Sequence, residues 1–267
     1  MEPWPCITLG DVRLPRLVFL HGFLGRGADW QEVAAHFTDR YCCILPDLPG
    51  HGANTHLALG PALDYERLAR GLARTLAESG KEPVVLVGYS LGGRIGLYAG
   101  LQHPGMLRGL LLESTNPGLS ELETRQQRAL ADERQAQKIQ SQGMDAFLDD
   151  WYAQPLFRSL HARPALLERM RRSRQGNQPV WMAKVLRELS PGSQPFLGER
   201  WNELNIPVLL LAGSLDEKYA ALVSQTAARF PRVRGLVVPQ AGHSIHAERP
   251  GRFRQILRTY LAVLEKL

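Results

Sequence analysis

The sequence predicts an α/β protein: a mostly parallel β-sheet flanked by helices, with a helical block inserted between core strands. Two observations lead there. Short, continuous apolar runs alternate with stretches of helical period, as expected for strands buried on both faces and joined by crossover helices. That rhythm then lapses over 116–205, a stretch rich in Arg, Gln and Leu with no strand-like run, and resumes afterwards. An interruption of that length is too long for a connecting loop. We therefore assign 1–115 and 206–267 to the sheet-bearing core and 116–205 to an inserted helical cap.

The first strands are read at 16–21 (RLVFLH), 42–46 (CCILP), 84–87 (VVLV) and 110–112 (LLL), each short, rich in Val, Leu, Ile or Phe, and mostly followed by Gly or Pro. Between the second and third, 65–79 repeats Leu68, Leu72 and Leu76 on one helical face, and a further helix is expected over 93–101. After the cap, 207–212 (PVLLLA) and 233–238 (VRGLVV) are strands, and 252–264 is a closing helix.

Composition sets limits on function. The 267 residues include 44% hydrophobic and 22% charged, enough for a full core without covalent staples. Three cysteines, Cys6 and the adjacent Cys42 and Cys43, form neither a disulfide framework nor a zinc-ligand spacing, so a reducing, cytoplasmic setting and no metal are expected. No apolar run is long enough to span a bilayer, and the first ten residues lack a basic leader region. Stable membrane insertion is not expected. The net charge of +6 leaves nucleic acid, anionic lipid and anionic small molecules open. A nucleic-acid module is not expected, because the basic stretches lack interleaved aromatics.

Gly88-Tyr89-Ser90-Leu91-Gly92 matches Gly-x-Ser-x-Gly between a strand and a helix, the setting of a nucleophile elbow. A serine hydroxyl needs an imidazole to take its proton and a carboxylate to orient that imidazole. Asp216 and His243 each follow a later strand, where open α/β sheets place their sites, and complete the order Ser, Asp, His. His246 is expected to face solvent or the cap. His36, His103 and His161 read as surface residues, and Asp47 as structural. An oxyanion hole needs two main-chain donors. Leu91, following the nucleophile, supplies one, and Phe23, in the turn after the first strand, supplies the second.

His-Gly-Phe, Asp-Leu-Pro-Gly-His-Gly, Gly-Tyr-Ser-Leu-Gly-Gly, Gly-Ser-Leu-Asp and Ala-Gly-His stand in the order and approximate spacing of the α/β-hydrolase superfamily, which the whole chain resembles. The resemblance implies that fold. A serine at the elbow separates the chain from relatives that attack with aspartate.

Charge is concentrated in the cap. Between 158 and 187 stand eight basic residues and one acid, Glu168. Inward-facing arginines there would hold carboxylates by bidentate pairing. Arg94 lies at i+4 from Ser90, on the same side of its helix, where a buried charge is costly unless it meets an anion.

The run from Gly88 to Arg94, Glu113 to Leu119, the spaced Arg125, Arg128 and Asp132, and Asp149 to Phe157 together resemble the 2-succinyl-6-hydroxy-2,4-cyclohexadiene-1-carboxylate synthases of menaquinone biosynthesis. That resemblance implies a lyase in which the triad serine removes a ring proton and pyruvate leaves, with no cofactor. It further implies that Arg94, Arg128 and Arg172 hold carboxylates of a small polycarboxylate, and that Tyr89, Trp151 and Tyr152 line the pocket. A monomer or small homo-oligomer is expected. Two other readings remain open here: a serine hydrolase of esters or carbon–carbon bonds in carboxylated substrates, and a receptor-like ligand-binding protein that keeps the fold.

Overall fold

The computed structural model describes residues 2–55 and 62–267. Among the described residues seven strands form one sheet: β1 (Cys6–Leu9), β2 (Arg16–Leu20), β3 (Cys42–Pro46), β4 (Val84–Tyr89), β5 (Leu107–Glu113), β6 (Val208–Gly213) and β7 (Val233–Val238). They lie in the order β1-β3-β2-β4-β5-β6-β7. Only β1 is antiparallel, pairing with β3; the other neighbours run parallel. This is the α/β-hydrolase architecture with its mostly parallel sheet.

Alternation along the strands separates two apolar layers. Val18 and Leu20 of β2 join one layer, Leu17 and Phe19 the other. The first is covered by α1 (Tyr65–Glu78) and α2 (Leu91–Gln102). In α1 the side chain of Asp64 accepts from Arg67 N at 2.7 Å and caps the helix start. Its Leu68, Leu72 and Leu76 are buried, contributing about 1.5–3 kcal/mol each. The other layer packs beneath the closing helix, with Phe253, Leu257 and Tyr260 against Trp30 and Phe37.

The edge strand β1 was not expected from sequence. Its half-exposed positions and flanking prolines mask the pattern, and proline is tolerated at a sheet edge. The helix Glu217–Arg229 likewise emerges only in the structure, where Asp216 caps it.

Between β5 and β6 every regular element among the described residues is helical. Helix α3 (Leu122–Ala153) is kinked at Gly143, whose φ of 82° and ψ of −178° leave the helical region. The kink turns the second half of the helix so that Phe147 and Trp151 pack with Phe23 of the core. Helices α4 (Pro164–Gln175) and α5 (Pro179–Glu188) follow. No helix among the described residues is long and apolar enough to cross a membrane.

Candidate active site

Ser90 sits between β4 and α2 with φ 49° and ψ −109°, a region that costs a non-glycine residue on the order of 1–3 kcal/mol. Close packing explains the flanking glycines. A Cβ on Gly92 would lie 2.5 Å from the carbonyl oxygens of Leu20 and His21, and one on Gly88 would lie 2.6 Å from Gly93 Cα. The turn can be this sharp only without those side chains.

His243 Nδ1 donates to Asp216 Oδ2 at 2.7 Å, and both side chains are almost fully buried. The other carboxylate oxygen of Asp216 accepts from Tyr219 N at 3.4 Å, so the helix that follows fixes its orientation. His243 Nε2 stands 3.5 Å from Ser90 Oγ, at the outer edge of hydrogen bonding. Proton transfer requires that gap to close by about half an ångström. The rings of Tyr219, Tyr89 and Phe157 surround the imidazole at centroid distances of 4.9, 5.5 and 6.0 Å.

Leu91 is the first residue of α2, so its N–H has no intrahelical acceptor and faces the end of the helix where negative charge is favoured. The loop carrying Phe23 is held by two buried histidines. His21 Nδ1 donates to Gly22 O at 2.8 Å while its Nε2 accepts from Leu48 N at 3.0 Å. His51 Nδ1 donates to Pro49 O at 3.2 Å and its Nε2 accepts from Leu24 N at 3.3 Å. Burial lowers the His21 pKa to about 4 and that of His51 to about 3, so both are neutral acceptors in the folded protein.

A pH effect on stability follows. In the unfolded chain both histidines titrate near 6.5, whereas the folded state resists protonation until well below that. Their contribution is complete above pH 6.5 and is lost as pH falls from there toward 4 and 3. Tm should drop over this range more steeply in the wild type than in His51→Gln, which carries no titrating ring. Equal slopes in differential scanning calorimetry would contradict the assignment.

A cavity opens over Ser90 between core and cap. Its lining includes Ser90, Leu91 and His243, the aromatic Phe23, Tyr89, Trp151 and Tyr152, and the guanidinium groups of Arg94, Arg128 and Arg174. Arg94 is buried and donates through Nη1 to Tyr65 Oη at 2.7 Å, Leu189 O at 2.9 Å and Gln194 Oε1 at 3.2 Å. No carboxylate pairs with it among the described residues. Arg128 pairs with the buried Asp132 at 2.8 Å, and Arg174 with Asp29 at 2.7 Å. Burial alone would raise the Asp29 carboxyl, but the Arg174 guanidinium outweighs it and holds the pKa below the usual range.

Arg172 is a correction. Its side chain is 75% exposed, pairs with Glu168 at 2.8 Å and does not line the cavity; Arg174 occupies the place expected of it. Two residues along a helix turn the side chain by about 200°, onto the opposite face. The basic block as a whole is also less of a funnel than its sum suggested. Arg171, Arg172, Lys184 and Arg187 pair with Asp149, Glu168, Glu188 and Glu133, three of which lie outside the basic window. Arg172→Ala should leave kcat/KM within about twofold, whereas Arg174→Gln should lower it by at least about tenfold. Steady-state kinetics of the two variants checks this.

His246 meets the cap rather than open solvent: it lines a pocket with Leu166, Met170 and Arg174, stacks on Trp30 and hydrogen-bonds Glu113, a partner the sequence did not suggest. Asp47 is structural, accepting from Gly27 N at 2.6 Å and Ala53 N at 2.8 Å. The supporting residues Tyr65, Gln194, His21 and His51 were not singled out by sequence reasoning. Only the motifs His-Gly-Phe, which contains His21, and Asp-Leu-Pro-Gly-His-Gly, which contains His51, signalled any of them.

Residues 17–256 match the model of the alpha/beta hydrolase family. The chain belongs to that family. Among curated proteins it is 38% identical to 2-succinyl-6-hydroxy-2,4-cyclohexadiene-1-carboxylate synthase of Pectobacterium atrosepticum, over 93% of this chain and 94% of the relative. It is equally identical to the synthase of the same name from Yersinia pestis, over 93% and 88%. Among solved structures, MenH from S. aureus superposes with a TM-score of 0.93 at 31% identity, covering 99% of this chain and 100% of that one. A thermophilic esterase from Thermogutta terrifontis shares the fold, with a TM-score of 0.80 at 22% identity and 97% and 93% coverage. The chain is thus similar to these synthases over nearly its full length.

Proposed function

We infer that this protein is a carbon–oxygen lyase that eliminates pyruvate from 2-succinyl-5-enolpyruvyl-6-hydroxy-3-cyclohexene-1-carboxylate, giving 2-succinyl-6-hydroxy-2,4-cyclohexadiene-1-carboxylate. The observation that carries this reading is the cavity itself. Ser90 and His243, the latter backed by Asp216, lie on its floor, and three arginines with aromatic rings form its walls. The substrate class brings succinyl, ring and enolpyruvyl carboxylates, which match the three guanidinium groups in number; Arg94 meets only neutral acceptors, while Arg128 and Arg174 also hold Asp132 and Asp29. Full-length similarity to synthases of that name supports the same conclusion.

The chemistry follows from substrate and product. His243, oriented by Asp216, draws the proton from Ser90 Oγ, and that oxygen removes the ring proton beside the succinyl ketone. Negative charge develops on the ketone oxygen, where the N–H groups of Phe23 and Leu91 stabilise it. The electron pair moves through the ring double bond, the bond to the enolpyruvyl oxygen breaks, and the leaving enolate takes up a proton as pyruvate. No water is consumed. Arg94, Arg128 and Arg174 hold the carboxylates so that the ring proton faces Ser90, while Trp151, Tyr89 and Tyr152 pack against the ring. The free cysteines suit a reducing compartment such as the cytoplasm.

The experiment is pyruvate release by the purified protein, followed through a coupled dehydrogenase, beside turnover of an activated nitrophenyl ester. Rapid pyruvate release with weak esterase activity is expected. Strong esterase activity without pyruvate release would replace the lyase with a hydrolase, and binding without turnover of either compound would favour a receptor.

A further inference from the structure

A second carboxylate–imidazole pair lies behind the triad and takes no part in the proton transfers above. Glu113 ends β5 and its side chain is fully buried; the His246 side chain is 10% exposed. His246 Nδ1 lies 2.8 and 3.0 Å from the two oxygens of Glu113, and His246 N donates to one of them at 3.1 Å. Neither residue lines the cavity over Ser90.

What this pair joins gives it a role. On one side, Glu113 is registered opposite Tyr89 in the sheet, and its carbonyl accepts from Ser90 N at 2.9 Å. Its backbone therefore holds the elbow. On the other side, its carboxylate holds residue 246, one short turn beyond His243. The His246 ring is wedged between Trp30 and Tyr89, at centroid distances of 4.3 and 4.7 Å. Two more contacts close the same frame: Ser114 Oγ donates to His243 O at 2.7 Å, and Tyr89 Oη lies 2.7 Å from Ser244 Oγ. One residue thus fastens both the nucleophile's backbone and the loop of the base. A buried carboxylate–imidazole hydrogen bond is a modest source of net stability, but it constrains geometry in direction and distance.

We propose that Glu113 and His246 are positioning residues that set the separation between His243 Nε2 and Ser90 Oγ. This rests on the triad reading given above. An error of about 1 Å in such a separation costs on the order of 100-fold in rate. Substrate affinity should change little, because the carboxylate-holding side chains lie elsewhere and Tyr89, against which His246 packs, is also held by Ser244.

The test uses a fluorophosphonate, which Ser90 Oγ attacks at phosphorus with loss of fluoride, together with kcat and KM for pyruvate release. Wild-type labelling at Ser90 establishes that the serine is activated; no labelling would overturn the triad reading and this proposal with it. Glu113→Gln should lower the labelling rate and kcat together by about 10- to 100-fold, with KM within about threefold. His246→Leu should behave likewise. His246→Asn places an amide nitrogen where Nδ1 stood and should stay within about fivefold of wild type. A lowered Tm with unchanged labelling and kcat, or a rise confined to KM, would overturn the proposal. Should Glu113→Gln fail to fold, the contrast between His246→Asn and His246→Leu decides it.

Discussion

Replacing Ser90 with alanine is expected to reduce pyruvate release by at least about 10³-fold while leaving substrate affinity nearly unchanged. The side chain lost is the proposed base, whereas the groups that hold carboxylates remain. Ser90 is also the strained residue of the elbow, at φ 49°, and alanine in that backbone adds no bulk, so the fold should persist. Single-turnover kinetics and calorimetric titration separate the two effects. Loss of binding with retained turnover at saturation would reverse the roles assigned here.

The second large effect is expected at Arg94. Its three hydrogen bonds all fall on Nη1, and every acceptor is neutral. Nε and Nη2 have no protein partner among the described residues. These two nitrogens form the edge with which a guanidinium grips a carboxylate in a bidentate manner. Burying an unpaired cation is costly, so the arrangement favours arrival of an anion. Arg94→Ala should lower kcat/KM by about 100-fold, close to 2.7 kcal/mol of transition-state binding. Arg94→Lys should recover little, since an ammonium lacks the planar fork that Tyr65, Leu189 and Gln194 hold in place. Near-wild-type kinetics in the alanine variant would remove the anion-binding role.

The sheet and the elbow could be read from sequence because their signals are local. A run such as VVLV followed by Gly-x-Ser-x-Gly contains both the strand and the reason for the turn. Boundaries moved by only a few residues; β4 extends to Tyr89 and β5 begins at Leu107. The cap was less legible. Whether Arg172 or Arg174 faces the cavity depends on how α4 is rotated against the core, and that is decided by contacts such as Arg174 with Asp29 and Arg26 with the carbonyl of Ser173. The basic block misled for a related reason. Its counter-charges on α3 are distant in sequence but adjacent in the fold. The pairing of His246 with Glu113 went unseen because the two lie 133 residues apart. Long-range pairs of this kind leave no trace in periodicity or spacing.

The lyase reading is tested most directly by the stoichiometry of its products. When purified protein is given the enolpyruvyl cyclohexene substrate, pyruvate and the absorbance of the new conjugated diene should appear in equal amounts and at one rate. Both signals should vanish together in Ser90→Ala. Pyruvate without diene, or diene formation that persists without Ser90, would contradict serine-mediated elimination.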